Sequence, residues 1–385
     1  MNTNITFETC EKIVRRIAEV GAEHFGSHEI SSCNILKEIR NKVKKGEKLS
    51  NGEKELLTNF LYLNAVMDQG RDPEGVKELL VRVTNVAYDK NIRFLHDPDA
   101  FFKNPRFFTK TLREEHESVK KERARISGLG TRYNLFDTKI NPYTMHRWGT
   151  VMLCLKKLYE DDKTLLSYIM EAGRADNIPN LVRNDDLYGL GNAIGYKACR
   201  LFIKWIIHTF PIIESADLRW GPNSYEIPLD SNVGGVFMRS GLLFLFASED
   251  ELWESRCWIE QTNGRVNLSA QRLNDLRIPA GKGKVEGGQI EAELSELLQN
   301  WGVRKRNLIK SLNAFVLRLN KKGVNVGIGQ IDDGFMHIGQ NFCKREGTPL
   351  CGKCPLGNLC LANNKEILLK TQFYCGVGAG VFFGR

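Results

Sequence analysis

Four cysteines fall within eighteen residues near the end of the chain, in the stretch CKREGTPLCGKCPLGNLC. They are Cys343, Cys351, Cys354 and Cys360, spaced C-x7-C-x2-C-x5-C. Four thiolates this close can surround one metal centre. An iron–sulfur cluster held by four cysteines and a tetrahedral zinc are the two groups such a loop accommodates. Two disulfides are the competing use. No secretory leader is read at the N-terminus, so a reducing compartment is expected, where structural disulfides are rare. A Cys-x2-Cys pair also suits a metal better than two bridges. The other cysteines (Cys10, Cys33, Cys154, Cys199, Cys257 and Cys375) are scattered and read as small buried hydrophobes.

The chain has 385 residues, enough for two or three domains. No apolar run reaches the length of a membrane helix, so no membrane partner is expected. Net charge is +9, which favours a polyanionic partner. Arg304, Lys305, Arg306, Lys310, Arg318, Lys321 and Lys322 gather upstream of the cysteine loop. Such a run is either a solvated helix face or a phosphate-contacting one, with Arg304 and Arg306 as the candidate contacts.

The pattern is helical. Apolar positions recur at helical spacing over 9–24, 33–45, 54–68, 73–88, 145–172 and 195–210, and 110–125 reads as an exposed polar helix. Ser50 and Glu53 form a helix start signal. Loops are expected at 128–141, 220–227 and 279–288. The glycine-rich, uncharged end of the chain has no functional reading. AGKGKV at 280–285 lacks the hydroxyl residue of a phosphate loop, and GVGAG at 376–380 has too little context for a dinucleotide fingerprint.

Two further motifs carry chemistry. LYGLGNAIGYKACRLFIK, 187–204, is a glycine-rich turn running into an amphipathic helix. Gly189, Gly191 and Gly195 let the backbone approach a partner and present amides to phosphate. EIPLDSNVGGVFMRSGL, 226–242, places Asp230 where a helix N-cap is the ordinary role.

Together these three motifs resemble the endonuclease III branch of the helix-hairpin-helix DNA glycosylases. In that family the cysteine loop runs C-x6-C-x2-C-x5-C, so the first gap here is one residue longer. The lead-in HIGQNFC, 337–343, is similar as well. The segment 194–198 resembles the family's Val-Gly-Arg-Lys-Thr-Ala with Lys197 on its lysine. A second register, through the GLG upstream, sets Ala193 there instead, and Lys204 is a secondary candidate. The Asp230 segment resembles Val-Pro-Val-Asp-x-His-Val, with Asn232 in place of the histidine and Arg239 on a downstream arginine. The clear resemblance covers roughly 187–242 and 335–361. A weaker likeness over 60–70 sets Gln69 on the residue that fills the gap left by a flipped base.

The resemblance implies an all-α, two-domain fold: a helical barrel over 52–226 with its helix-hairpin-helix at about 187–208, and a cluster domain built from 1–51 plus 227–365, followed by a tail, 366–385. It implies a 4Fe–4S cluster on the four cysteines and an active-site cleft between the domains. The partner would be double-stranded DNA with a damaged or modified base, bound by a monomer in a prokaryotic cytoplasm. Lys197 would be the nucleophile; a buried cleft would lower its pKa while the carboxylate beside it pushes the other way, so the amine would rely on Asp230 as its proton acceptor. In the Ala193 register Asp230 would activate water instead. Gln69, Gly189, Gly191, Gly195, Arg239, Arg304 and Arg306 would contact DNA. A non-catalytic iron–sulfur protein binding DNA or RNA on the same scaffold is the alternative from another class.

Overall fold

The computed structural model describes residues 6–24, 33–68, 73–127, 142–242, 305–343, 349–365, 372–374 and 380–382. Gln69, Arg304, Cys257, Cys375 and the loops expected at 128–141 and 279–288 lie outside the described residues, as do the side chains of Arg306 and Asn192. The chain is mostly helical and divides into two compact units, Ser27–Tyr225 and Met1–Gly26 with Glu226–Arg385. No helix among the described residues is long and apolar enough to cross a membrane.

Within Ser27–Tyr225, helix α2 spans Lys37–Lys44 and α3 spans Asn51–Met67. The Ser50 hydroxyl and the Glu53 carboxylate cap each other's backbone amides, as the sequence pattern predicts. Glu53 also pairs with Lys42 at 2.7 Å, and the Asn34 amide donates to Asn85 Oδ1 at 2.9 Å. These contacts tie 33–51 to this unit, whereas the sequence reading set them in the cluster domain. From Leu56 to Met67 helix α3 is buried on every face, which makes it the axis of the unit. Around it stand α4 (Pro73–Asp89), α7 (Pro142–Glu160), α8 (Leu165–Met170) and α10 (Tyr196–Lys204). Helices α5 (Asp99–Lys103) and α6 (Pro105–Ser127) pack outside, and α9 (Ile178–Asn184) precedes the glycine-rich turn.

The single helix expected over 145–172 is two. Asp162 adopts φ 53°, a left-handed stop, and the Thr164 hydroxyl caps Ser167 to start α8. Likewise α10 ends at Lys204 in a π-helical turn, Trp205–Thr209.

The other unit is built from α1 (Phe7–Glu23), α11 (Ser231–Ser240), α12 (Lys305–Lys321), α13 (Ile328–Asn341) and α14 (Leu361–Lys365). Strands β1 (Gln372–Tyr374) and β2 (Gly380–Phe382) pair antiparallel, and β1 packs against α11. Helices α1 and α13 cross at near backbone contact. A Cβ on Gly21 would sit 1.8 Å from the Gln330 carbonyl oxygen, and one on Gly334 would sit 1.9 Å from the Ile17 oxygen. Phe237 of α11 stacks on Phe335 of α13, with centroids 5.2 Å apart. This crossing fixes α13, whose C-terminus delivers Cys343.

The crossing predicts that Gly21→Ala lowers stability by about 1–3 kcal/mol or more through overpacking. Gly52→Ala, with nothing within 4 Å of the new methyl, should change it by no more than about 1 kcal/mol in either direction. Urea midpoints of the two variants check this, and equal midpoints contradict it.

Candidate functional site

Cys343, Cys351, Cys354 and Cys360 all line one small pocket in the unit that holds the C-terminal half. Its wall is completed by Val236, Arg239 and Ser240 from α11, Ile338 and Phe342 at the end of α13, and Leu356, Gly357, Ala362 and Asn363. Two short turns, Cys351–Lys353 and Gly357–Leu359, present the later cysteines. Gly357, at φ 28°, makes the tight bend between Cys354 and Cys360. No three His, Cys, Asp or Glu side chains among the described residues are drawn in to the distance of a single ion. The thiols stand around the cavity wall instead.

The thiol environments separate two classes of cysteine. Cys10, Cys33, Cys154 and Cys199 are buried one by one, and burial pushes each thiol up to about 12. They are inert packing residues. In the cavity, burial pushes Cys343 up to about 11, while Arg239 pulls the other way. Burial also raises Cys354 and Cys360. Cys354 feels the charge of Cys360 and Cys351, Cys360 that of Cys351, and Cys343 that of Cys360 and Cys354. Burial favours the protonated form of Cys343, Cys354 and Cys360, and four sulfurs lining one pocket suit a thiophilic metal that displaces thiol protons on binding, so the donor set fits such a group.

Arg239 was expected to reach DNA. The structure corrects this: it is 4% exposed, and its Nη1 donates to the Cys343 carbonyl and lies 3.4 Å from Cys343 Sγ. The arginine sits in the last turn of α11 and points into the cysteine loop, away from any surface a duplex could touch.

Asp230 caps the other end of α11. Its Oδ1 accepts the Asn232 amide at 2.8 Å and the Val233 amide at 3.0 Å. A helix of this length spans roughly 14 Å, so one rigid rod carries the aspartate at its start and part of the thiol cavity at its end. A Cβ on Gly339 of α13 would come within 2.9 Å of Asn232, which shows how closely α13 holds the start of α11.

The glycine motif forms a turn between α9 and α10. Asp185 Oδ1 accepts the amides of Leu187 and Tyr188, at 3.0 and 2.7 Å. Gly191 has φ +54°, and a Cβ on Gly189 would strike the Asp185 carbonyl at 2.2 Å. Gly195 is the N-cap of α10, with no side-chain cap over its first amides. Lys197 is exposed on the first turn of α10, while Ala193 is buried. Lys204 is only 5% exposed, because α10 runs inward from its exposed start.

Sequence reasoning missed the neighbours of this turn. Tyr196 is 45% exposed, with the Arg183 guanidinium 4.5 Å and that of Arg200 6.0 Å from its ring centre. Arg183 Nη1 also donates to the Ile194 carbonyl, which pins the turn. Arg200 lay inside the motif and passed unremarked. Arg183 precedes the motif, and no spacing rule connects it.

Comparison with protein-family models, curated proteins and solved structures finds no match to this chain.

Metal uptake by the stripped protein requires the cavity thiols to lose their protons. Because burial raises Cys343, Cys354 and Cys360, protons compete more strongly, and uptake should weaken progressively as pH falls below their raised values, about 11 for Cys343. Cys354→Ala should lose the metal, whereas Cys33→Ala should keep it. Metal titrations at several pH values test both; pH-independent uptake, or equal loading of the two variants, contradicts the site.

Proposed function

We propose that this chain is a DNA N-glycosylase of the two-domain helix-hairpin-helix type. One observation carries the proposal: four cysteines line a single cavity, in the same unit as a helix whose N-cap is Asp230. The hairpin between α9 and α10, with two positions that demand glycine, supports it. The four cysteines would hold a 4Fe–4S cluster, which would brace the loop and supply no reacting atom.

In this reading the hairpin amides and the arginines beside Tyr196 grip phosphates on either side of an extruded nucleotide. Asp230, held in one orientation by the two amides at the start of α11, accepts a proton. The donor is the Lys197 amine. Its nitrogen attacks the sugar C1′ as the bond from C1′ to the base breaks, and the base leaves with that electron pair. The attack leaves an aminal at C1′; its C1′–O4′ bond then breaks as the nitrogen lone pair forms the imine and O4′ takes up the proton the nitrogen gave up, and the imine permits cleavage on the 3′ side of the sugar. Desolvation of the exposed amine then has to come from DNA closing over it. Where Lys197 does not attack, Asp230 takes its proton from water and the product is an abasic site. The exposure of Lys197 favours this second course.

The experiment is a screen of purified protein against duplexes that each carry one modified base, with and without borohydride. Base release with a trapped protein–DNA adduct that Lys197→Gln abolishes marks the amine as nucleophile. Base release without an adduct marks the water route. Asp230→Asn should slow release by a factor of about 10²–10⁴ with binding preserved. Binding without release from any duplex leaves the non-catalytic nucleic-acid-binding alternative standing.

Binding itself should fall steeply with salt, since phosphate contacts release counterions. Arg200→Glu should weaken all duplexes alike and reduce the salt slope by about one. An affinity that is flat from low to high salt contradicts a phosphate-gripping hairpin.

A further inference from the structure

Among the described residues, the wall of the thiol cavity carries one charged side chain besides the cysteines. That side chain is Arg239, and the rest of the described lining is aliphatic, aromatic or uncharged polar. The Arg239 side chain is enclosed, at 4% exposure, and reaches the loop from α11 rather than from the loop itself. Its Nη1 touches both the carbonyl and the sulfur of Cys343, the latter at 3.4 Å. At the same residue, the Arg239 carbonyl accepts the Cys360 thiol at 3.2 Å. One residue therefore contacts the first and the last cysteine of the set, which lie seventeen positions apart.

A metal group held by four thiolates carries net negative charge. Enclosing that charge among apolar side chains is costly unless a fixed positive charge stands beside it. A guanidinium is charged at every relevant pH and presents several N–H groups from one plane. Cys343 also has the greatest need of a fixed position. Seven residues separate it from the next cysteine, so the loop does little to place it.

We propose that Arg239 is the positioning residue of this metal centre: it fixes Cys343 against the cavity and supplies the positive charge that offsets the four thiolates. The proposal rests on the metal reading given under Proposed function, and it is independent of glycosylase activity. Outer contacts of this kind are worth about ten- to a hundred-fold in metal affinity. A positive charge beside a ligating sulfur also raises the reduction potential, because the reduced centre is the more negative one.

The test compares anaerobically purified wild type with Arg239→Met, Arg239→Gln, Arg239→Lys and Arg16→Met. Arg16 is the control: its Nε meets the Pro355 carbonyl of the same loop at 3.5 Å, and it is part exposed beside Glu19. Metal content, metal affinity, the rate of bleaching in air, the midpoint potential and helical circular dichroism are read for each. The neutral variants should lose about ten- to a hundred-fold in metal affinity, bleach faster and show a lower potential. Lysine should restore most of the affinity, and Arg16→Met should match wild type. If Arg239→Met fails to fold, Arg239→Gln carries the comparison. Neutral variants equal to wild type, a lysine variant as poor as methionine, or an Arg16→Met variant as poor as Arg239→Met would each overturn the proposal. Wild-type protein that holds neither iron nor zinc sinks the metal reading itself, an outcome separate from any failure of the variants.

Discussion

Bringing four cysteines from one short loop to a single pocket is the constraint on which the C-terminal half depends. The loop from Cys343 to Cys360 has little apolar content of its own, so its shape has to be imposed from outside. Helix α13 imposes it at one end by delivering Ile338, Phe342 and Cys343 to the cavity wall. Helix α11 imposes it from the side through Val236, Arg239 and Ser240. Both helices are positioned by glycines. Gly334 lets α13 lie against α1 at backbone contact, and Gly339 lets it lie against the start of α11. The close approach removes freedom from α13 before any metal arrives, and this is what lets a short loop present its sulfurs in common.

The same arrangement gives Asp230 its setting. A carboxylate that caps a helix is fixed by backbone amides, not by flexible side chains, and so keeps one orientation. Asp230 begins the rod that ends at Arg239, and the packing that serves the cysteine loop also serves the aspartate. In Ser27–Tyr225 the logic is different. There the buried helix α3 organises the unit, and the hairpin is exposed at its surface with Tyr196, Lys197 and Arg200 on the first turns of α10.

Much of this was legible in the sequence because local chemistry decides it. The Ser50–Glu53 capping box, the proline-led start of α4 at Pro73 and the Asp230 N-cap each depend on a few neighbouring residues. The cysteine spacing predicted a common centre because so few residues intervene. What was not legible depends on partners distant in the chain. Arg239 looks like any basic residue near a helix end, and only the fold reveals that Cys343, over a hundred positions away, is its partner. The allegiance of 33–51 turns on Asn85 and on the Glu53 pair, which periodicity does not report. Asp162 breaks an apolar pattern that otherwise reads as continuous helix. Lys204 shares a helix face with Lys197 by spacing, yet the depth at which that face lies changes along α10.

The central claim is that the thiol cavity holds an iron–sulfur cluster, and the most direct measurement is the metal and acid-labile sulfide content of protein purified without oxygen. The account predicts brown protein with about four irons and four sulfides per chain, bound through the four cysteines. Colourless protein with one zinc would keep the cavity as a metal site and contradict the cluster. Protein with neither metal, and with all four thiols open to alkylation in the folded state, would contradict the account at its root.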